Sequence, residues 1–557
     1  FFLMIRRPPR STLFPYTSLF RSMLVMKRIN LKRIAAAVIV VSSVFVGVYG
    51  STVPSAAEPD EYHDDWLHVN ENAEIVDMYG NPVWLTGCNW FGYNVGSQVF
   101  DGVWSRNMHE MLTEIADHGF NLLRVPMSTQ LLLQWKNNEP DPATPKINEW
   151  TNPELTVEGV VGGKVKYSFD VWNQAVEWCR ELGIKIMIDI HSAETASAGH
   201  QVSLWYTDKY STEDWYEALE WLTDYYKDDD TLIAIDLKNE PHGKADVPSQ
   251  MAKWDDSKDP NNWKYAAECA AEKVLAINPN LLIMVEGIEV YPKEGYDWTA
   301  PAKDWTTNTE FYYGAWWGGN FRGAKENPID LGEHQSQLVY SPHDYGPLVY
   351  EQSWFHEGFT QESIMEEYWY DNWFYLLEEK TAPLLMGEWG GFIDEQHDPD
   401  GANTKWLTCL RDLMIENRIH HTFWCFNENS GDTGGLVYDN FGTWDEDKYA
   451  LVKPALWQDE NGKFISLDHK FAIGANGISL SDYYSGEQPT LPSESIDTLI
   501  KGDVNNDKKV NIFDSVVLKR FIAGIETDID KNNADFNSDG NIGISDLIQL
   551  NKFLIKY

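Results

Sequence analysis

The chain has 557 residues, enough for one barrel-sized domain with further modules attached. Its 86 acidic residues against 44 basic ones give a formal charge of −42. The basic residues before Glu58 lie in a stretch without a single acid, so the remainder is more acidic still. Such a surface repels phosphate backbones and anionic membranes, which argues against nucleic acid as a partner and leaves uncharged ligands open. The 25 Trp and 27 Tyr supply flat amphipathic rings that suit sugar faces, although core packing accounts for most of them.

In chain order, residues 1–22 read as translated sequencing-adapter sequence and carry no structural expectation. From Met23 or Met26 the pattern becomes that of a secretory signal peptide over 23–57. Lys27, Arg28, Lys32 and Arg33 form a basic region, Ile34 to Tyr49 an apolar core, and Ser55 and Ala57 offer a cleavage site before Glu58. The apolar run is short for a membrane span. A secreted protein with no membrane association after cleavage is expected. The five cysteines show no CxxC spacing, so neither a metal cluster nor a disulfide framework is expected.

From Val83 to about Trp457, strand-like and helix-like runs alternate. The strands read Val83 to Trp90, Asn121 to Met127, Ile184 to His191, Leu232 to Pro241, Leu281 to Ile288, Leu338 to Tyr345, Pro383 to Gly391 and Ile419 to Asn427. Amphipathic stretches separate them, among them Arg106 to His118, Phe169 to Leu182, Asn261 to Ile277 and Gly401 to Asn417. This is the α/β pattern of a (β/α)8 TIM barrel. A doubly wound open sheet is the alternative, but the first strand runs into Thr86-Gly87-Cys88-Asn89-Trp90, not a glycine-rich phosphate loop. The aromatic stretch from Ile288 to Leu338 is too long for a simple connection and is expected to build a binding wall.

The polar residues of these runs collect at one end of each. Arg124 closes the second, His191 the third, Asn239 and Glu240 the fourth, His343 and Tyr345 the sixth, Glu388 the seventh and Trp424 the eighth. In a barrel these ends converge on one face, where such folds carry their chemistry. Taken singly, each has a structural account: an ion pair for Arg124, a satisfied core histidine for His191, packing for Trp424. Taken together they point to an enzyme built around two carboxylates, Glu240 and Glu388.

The motifs NEP at 239–241, LTGCNWFG at 85–92, LLRVP at 122–126, SPHDYG at 341–346, GEWGG at 387–391 and FNENSGDTGGL at 426–436 resemble those of glycoside hydrolase family 5, most closely its bacterial endoglucanases. The resemblance covers roughly residues 62–470, within a catalytic domain expected over 58–475. It implies a cellulase, a retaining endo-β-1,4-glucanase acting on cellulose or related β-glucans, with Glu240 as acid/base and Glu388 as nucleophile and no cofactor for catalysis. It implies that Arg124 and Tyr345 hydrogen-bond to Glu388 and favour its charge, while a less polar setting controls the acidity of Glu240. Asn239 is then placed for the sugar 2-OH, His191 and His343 line the subsite, and Trp424 and Trp90 offer stacking faces. A mannanase or xyloglucanase would keep every catalytic residue and change only the groove. A non-catalytic carbohydrate-binding scaffold component would not need the intact glutamates.

Residues 476–498 lack periodicity and read as a linker. Beyond them a repeat of period 32 places Asp503, Asn505, Asp507 and Asp514 at positions 1, 3, 5 and 12 of a loop, and Asp535, Asn537, Asp539 and Asp546 likewise in a second copy. Hard oxygen ligands at alternate positions before a helix describe an EF-hand-like calcium loop, with the backbone oxygens of Lys509 and Asn541 at position 7. The tandem resembles a dockerin over 499–557, a small all-α domain holding two structural Ca2+ ions and binding a scaffoldin cohesin. The chain would then act on an extracellular or cell-surface cellulosome. Lys508 stands where position 6 calls for glycine, and Gly543 lacks a side chain at position 9. Recognition would fall on Ile512-Phe513 and Ile544-Ser545.

Overall fold

The computed structural model describes residues 64–139, 145–243, 250–301, 310–485, 501–504, 510, 512–522, 524, 529, 531–536 and 540–554. The adapter-like stretch, the signal-peptide region and residues 486–498 of the expected linker lie outside the described residues. Eight strands form one parallel sheet: β1 (Thr86–Asn89), β2 (Leu122–Ser128), β3 (Lys185–Ser192), β4 (Leu232–Asp236), β5 (Leu282–Val285), β6 (Leu338–Tyr340), β7 (Leu385–Met386) and β8 (His420–Phe423). Each pairs with the next, and β8 returns to β1 through His421↔Thr86 and Phe423↔Cys88. Parallel bridges Tyr340↔Leu384 and His343↔Glu388 close the ring between β6 and β7. The protein is a (β/α)8 barrel, as the alternation predicts.

Side chains along a strand alternate in direction, and here the alternation sorts them by chemistry. Leu123, Val125, Ile186, Ile188, Ile190, Ile235, Leu237, Ile283 and Val285 belong to the large core shared with the surrounding helices. The intervening residues Leu122, Met187, Ala234, Leu282, Met284, Val339 and Leu385 form a second, interior core. One step further along the same inward register stand Arg124, Asp189, Asp236 and Glu286, all fully buried. The barrel interior therefore changes from apolar to charged toward its C-terminal mouth.

The expected helices form within two residues of their sequence bounds: α1 (Met108–Asp117), α3 (Ser168–Glu181), α5 (Trp263–Leu275) and α8 (Ala402–Asn417). A short α2 (Thr129–Lys136) precedes α3, and α4 (Thr212–Tyr226) follows β3 with Ser211 and Asp214 forming a capping box. Between β6 and β7 a helical run spans α6 (Gln361–Ile364) to α7 (Tyr375–Glu378) through a π-wound middle, Met365–Phe374. Between β5 and β6 the described residues form two 3-10 turns, Arg322–Lys325 and Gly332–Gln337, in place of an α-helix. Their connection carries an antiparallel pair, Val290–Pro292 with Tyr312–Gly314, that raises a wall beside the mouth. Strands β6 and β7 are shorter than the sequence runs. Pro342 and Pro383 cannot donate to a ladder, so the chain stays extended there with isolated bridges instead.

Residues 476–485, expected to begin a linker, are instead packed on the barrel. Residues through Ser485 belong to the barrel: α9 (Glu446–Val452) is followed by a bridge Ile465↔Ile478 and by α10 (Leu480–Tyr484). Leu480 is fully buried, and Ile478, Tyr483 and Tyr484 pack on the interior core. A polar, turn-rich sequence conceals four apolar side chains that cover the barrel floor. The C-terminal module pairs α11 (Ile512–Ile522) with α13 (Ile544–Leu554), with α12 (Lys531–Ala534) between them in sequence, over a core of Val504, Leu518, Ala534 and Leu550. The five cysteines are unpaired. Among the described residues no helix is long and apolar enough to cross a membrane.

A buried ionic cluster ties the two ends of the barrel domain together beneath the sheet. Lys185 Nζ lies 2.8 Å from Asp65 and 2.9 Å from Asp468. His469 reaches Asp65 with Nδ1 at 2.6 Å and Asp77 with Nε2 at 3.2 Å. Burial lowers the His469 imidazole, but the two carboxylates override it and push the group up to about 9 from 6.5. Because the folded value is the higher one, this stabilisation is complete below about pH 6.5 and is lost as pH rises through about 9. A His469→Gln variant should therefore melt below wild type at pH 6, with the gap closing by pH values above about 9. A gap that stays constant across that window would contradict the account.

Candidate active site

The inward charged layer opens into a cleft of about 1030 Å3 lined by Glu240, Glu388, His191, Tyr345, Trp424, Trp316 and Trp317, among others. Arg124 anchors its floor. The guanidinium is fully buried and donates from Nη1 to Glu388 Oε1 at 2.8 Å and to Asn89 Oδ1 at 3.0 Å. Nε and Nη2 both reach Asp236 Oδ2, at 3.1 and 2.9 Å, and Nη2 also reaches Asn239 Oδ1 at 3.0 Å. Asp189 and Glu286 stand 3.3 Å away. Five strands thus contribute to the surroundings of one cation.

Glu388 is held on its other side by Tyr345, whose hydroxyl donates to Oε2 at 2.5 Å. The expected Arg124 and Tyr345 contacts to this carboxylate are therefore present. Glu240 faces it from the end of β4. Its Oε1 accepts from His343 Nδ1 at 3.0 Å. One oxygen of each glutamate and a ring nitrogen of His343 lie within 4.8 Å of one another. Residues 148 positions apart in sequence thus meet across a narrow gap.

The proton balance of this cluster differs from the sequence expectation. Burial lowers His343, but Glu286, Glu388 and Glu240 override it and raise the imidazole well above its ordinary value. Burial alone would raise Glu240, yet the hydrogen bond and charge of His343 hold it down at about 2. Burial pushes Glu388 up, with Glu240 adding to the rise and His343 and Arg124 opposing it. The surroundings thus favour a protonated His343 over a protonated Glu240, with one hydrogen bond between them. Glu240 is buried as a less polar setting requires, but its Oε1 also faces the His343 ring, whose hydrogen bond opposes the effect of burial.

The remaining expected residues divide. His191 donates from Nδ1 to Asp189 Oδ2 at 2.6 Å, and burial drives its own value down to about 3, so the ring is neutral. It stacks on Trp424 at 5.6 Å with an interplanar angle of 5°, and both line the cleft. Asn239 is buried beside Glu240 with its Nδ2 unpartnered, a donor available to a sugar hydroxyl. Trp90 does not belong to the site. It is fully buried, stacks on Phe100 at 4.1 Å and donates from Nε1 to the Asp101 carbonyl. Its neighbour Phe91 takes the role instead, lining the cleft and stacking on Trp424 at 5.7 Å. One residue past a strand end decides which of two adjacent rings faces outward.

Sequence reasoning missed Asp189, Asp236 and Glu286, and also the stacked pair His242 and Trp317, 3.7 Å apart at 4°. The signal for the three acids was present: single carboxylates interrupting the apolar runs IMIDIH, LIAIDL and LIMVEG. An acid inside a strand buried on both faces needs a cation, and Arg124 was the available one.

Comparison with known proteins decides the family. Residues 76–430 match Cellulase (glycosyl hydrolase family 5) and residues 501–555 match the dockerin type I domain. The chain belongs to glycosyl hydrolase family 5. It is 49% identical over 505 residues to Endoglucanase G of Acetivibrio thermocellus, covering 85% of this chain and 88% of that protein. Endoglucanase B of the same organism is 42% identical over 542 residues, covering 91% and 94%. An endocellulase of Pyrococcus horikoshii, solved as a complex with cellotetraose, superposes with TM-score 0.59 at 30% identity over 70% of this chain and 98% of its own. This family 5 member is a glycoside hydrolase with a type I dockerin.

In the dockerin, three of the expected calcium ligands, Asp503, Asp514 and Asp546, are fully buried, while Asp535 is half-buried and Asn541 exposed. Asn505, Asp507, Lys509, Asn537 and Asp539 lie outside the described residues. Carboxylates drawn out of water at loop positions 1 and 12 fit a hard divalent cation. Ile544 and Ser545 are exposed, with Ile544 at 66%.

Tyr345 gives the family 5 site its most separable contact. Tyr345→Phe removes one hydrogen bond to a charged carboxylate and leaves Arg124 in place, so kcat should fall about ten- to a hundredfold with KM little changed. Steady-state kinetics on a soluble glucan checks this, and an unchanged kcat would show that the Glu388 charge does not depend on the phenol.

Proposed function

We propose that the protein is a secreted, retaining endo-β-1,4-glucanase that cleaves cellulose or a related β-glucan by double displacement. The reading rests on the approach of Glu240 and Glu388 oxygens to within 4.8 Å. Retaining enzymes hold the two carboxyls about 5–5.5 Å apart, whereas inverting enzymes leave room for a water between them. The names of the A. thermocellus relatives and the cellotetraose in the P. horikoshii complex support a β-glucan as substrate.

In the first step Glu388 attacks the anomeric carbon and forms a glycosyl ester, while a proton passes from Glu240 to the departing glycosidic oxygen. Arg124 and Tyr345 orient Glu388 and keep it ionised for attack. A sugar filling the cleft excludes water from Glu240 and favours its neutral form, drawing the His343 proton across the 3.0 Å hydrogen bond. Once the ester forms, the charge of Glu388 is gone and Glu240 is more readily ionised. It then takes a proton from the incoming water, the water oxygen displaces Glu388, and the proton returns to His343. Stacked rings on either side, Phe91 with Trp424 and Trp317 with His242, supply flat apolar faces for successive sugars.

The dockerin supports attachment to a cohesin on an extracellular scaffold. Two calcium ions, when bound, would fix its loops through Asp503, Asp514, Asp535 and Asp546. Chelation should abolish cohesin binding and leave hydrolysis of soluble glucan intact, because none of the described calcium ligands lines the cleft. Binding that survives chelation would contradict the calcium assignment.

Glu388→Gln and Glu240→Gln should each remove most turnover, and an aryl glycoside with a good leaving group should restore only the first step, and only in the Glu240 variant. Reducing-sugar release from carboxymethylcellulose, barley glucan, mannan and xylan, run side by side, should be highest on the two glucans. Near-normal hydrolysis by either variant, or a preference for mannan, would overturn the respective half of the reading.

A further inference from the structure

A third glutamate grips the reacting pair from behind. Glu286 stands one residue past the end of β5 and is fully buried. Its Oε2 accepts the backbone N–H of Glu240 at 2.7 Å. Its Oε1 lies 3.2 Å from His343 Nε2 and 3.3 Å from Arg124 Nη2. His343 turns its other nitrogen, Nδ1, toward the Glu240 carboxyl. Glu286 therefore reaches Glu240 twice, once through its peptide and once through an imidazole.

The backbone at Glu240 needs such a grip. Its φ of +51° lies in the left-handed region that side-chain-bearing residues avoid. The neighbouring peptide groups fix it from both sides: Glu286 accepts the N–H, and His242 Nδ1 donates to the carbonyl at 2.6 Å. The wall segment is shaped to admit Glu286. Gly318 has φ +73°, and a Cβ there would stand 2.3 Å from Glu286 Oε2. Gly287 N–H donates to the Gly318 carbonyl at 2.8 Å, fixing the wall to the strand end that carries Glu286.

We propose that Glu286 is a positioning residue for the acid/base half of the reaction. It aims Glu240 through the backbone N–H and fixes the His343 ring from its Nε2 side, so that Nδ1 faces the Glu240 carboxyl. The inference rests on the assignment of Glu240 as acid/base. Attack by Glu388 draws on Tyr345 and on Arg124, which is still met by Asp189, Asp236 and Glu388 itself when Glu286 is changed. Loss of Glu286 should therefore be felt where the leaving group needs a proton and little where it does not.

The test compares kcat/KM for cellotetraose, whose leaving oxygen must be protonated, with that for 2,4-dinitrophenyl β-cellobioside, whose leaving group departs unaided. Glu286→Ala should lose about a hundredfold on cellotetraose and less than about threefold on the aryl substrate. Glu286→Gln keeps an oxygen for the Glu240 N–H but no charge facing His343, and should recover about tenfold of the loss. Gly318→Ala, which pushes Glu286 aside without altering it, should show the same dependence on leaving group. Equal losses on both substrates, or none on cellotetraose, would overturn the proposal. A Glu286→Ala chain that fails to fold leaves the decision to the other two variants. A Glu240→Gln variant that does not discriminate between the substrates would instead sink the acid/base assignment itself.

Discussion

One buried guanidinium sets the terms for the rest of this molecule. Arg124 has no access to water, so its charge must be met inside the barrel, and Asp189, Asp236, Glu286 and Glu388 meet it from four different strand ends. Removing a partner from such a group leaves an uncompensated buried charge, which is far costlier than losing a surface ion pair. Burial pushes Asp189 up to about 6 even with Arg124 pulling it down, which shows how closely charge and desolvation are balanced here. The same requirement fixes registers, since a one-residue slip of β3, β4 or β5 would turn its acid outward into the helix-packed core. Glu388, the proposed nucleophile, is thus placed by an electrostatic demand of the fold.

Around that centre the two halves of the reaction are supported differently. Glu388 is fixed by two donors, a guanidinium and a phenol, and its proposed task is to stay charged until it bonds to carbon. Glu240 is served by an imidazole that can pass its proton on, and by a backbone grip that holds an unfavourable conformation. The wall between β5 and β6 joins these functions to substrate shape. Trp317 faces the cleft and stacks on the histidine that bonds the Glu240 carbonyl, and the adjacent Gly318 makes room for Glu286. Acidic surface charge and exposed ring faces both suit a neutral, flat polymer.

Strand ends were the most legible part of the sequence, because a polar residue after an apolar run has few places to go. Arg124, His191, Glu240, His343, Tyr345, Glu388 and Trp424 all arrive at one mouth for that reason. Legibility failed where two neighbours share a chemistry. Trp90 and Phe91 are both aromatic, and only the turn after β1 decides that Phe91 faces the cleft. It also failed where composition misleads: Ile478, Leu480, Tyr483 and Tyr484 sit among polar and turn-forming residues, yet they seal the barrel floor. The place of His343 between three carboxylates could not be read from sequence, since they are drawn from separate strands. Between β5 and β6 the described residues form 3-10 turns and a short antiparallel pair, and aromatic side chains there line the cleft.

In the proposed double displacement Glu388 becomes covalently bound to the sugar while Glu240 manages the proton. Incubation with a 2-deoxy-2-fluoro cellobioside carrying a good leaving group, followed by mass spectrometry of the digested protein, tests it most directly. The account predicts a single glycosyl adduct on the peptide containing Glu388. An adduct on Glu240, or hydrolysis that proceeds with inversion and leaves the protein unmodified, would contradict it.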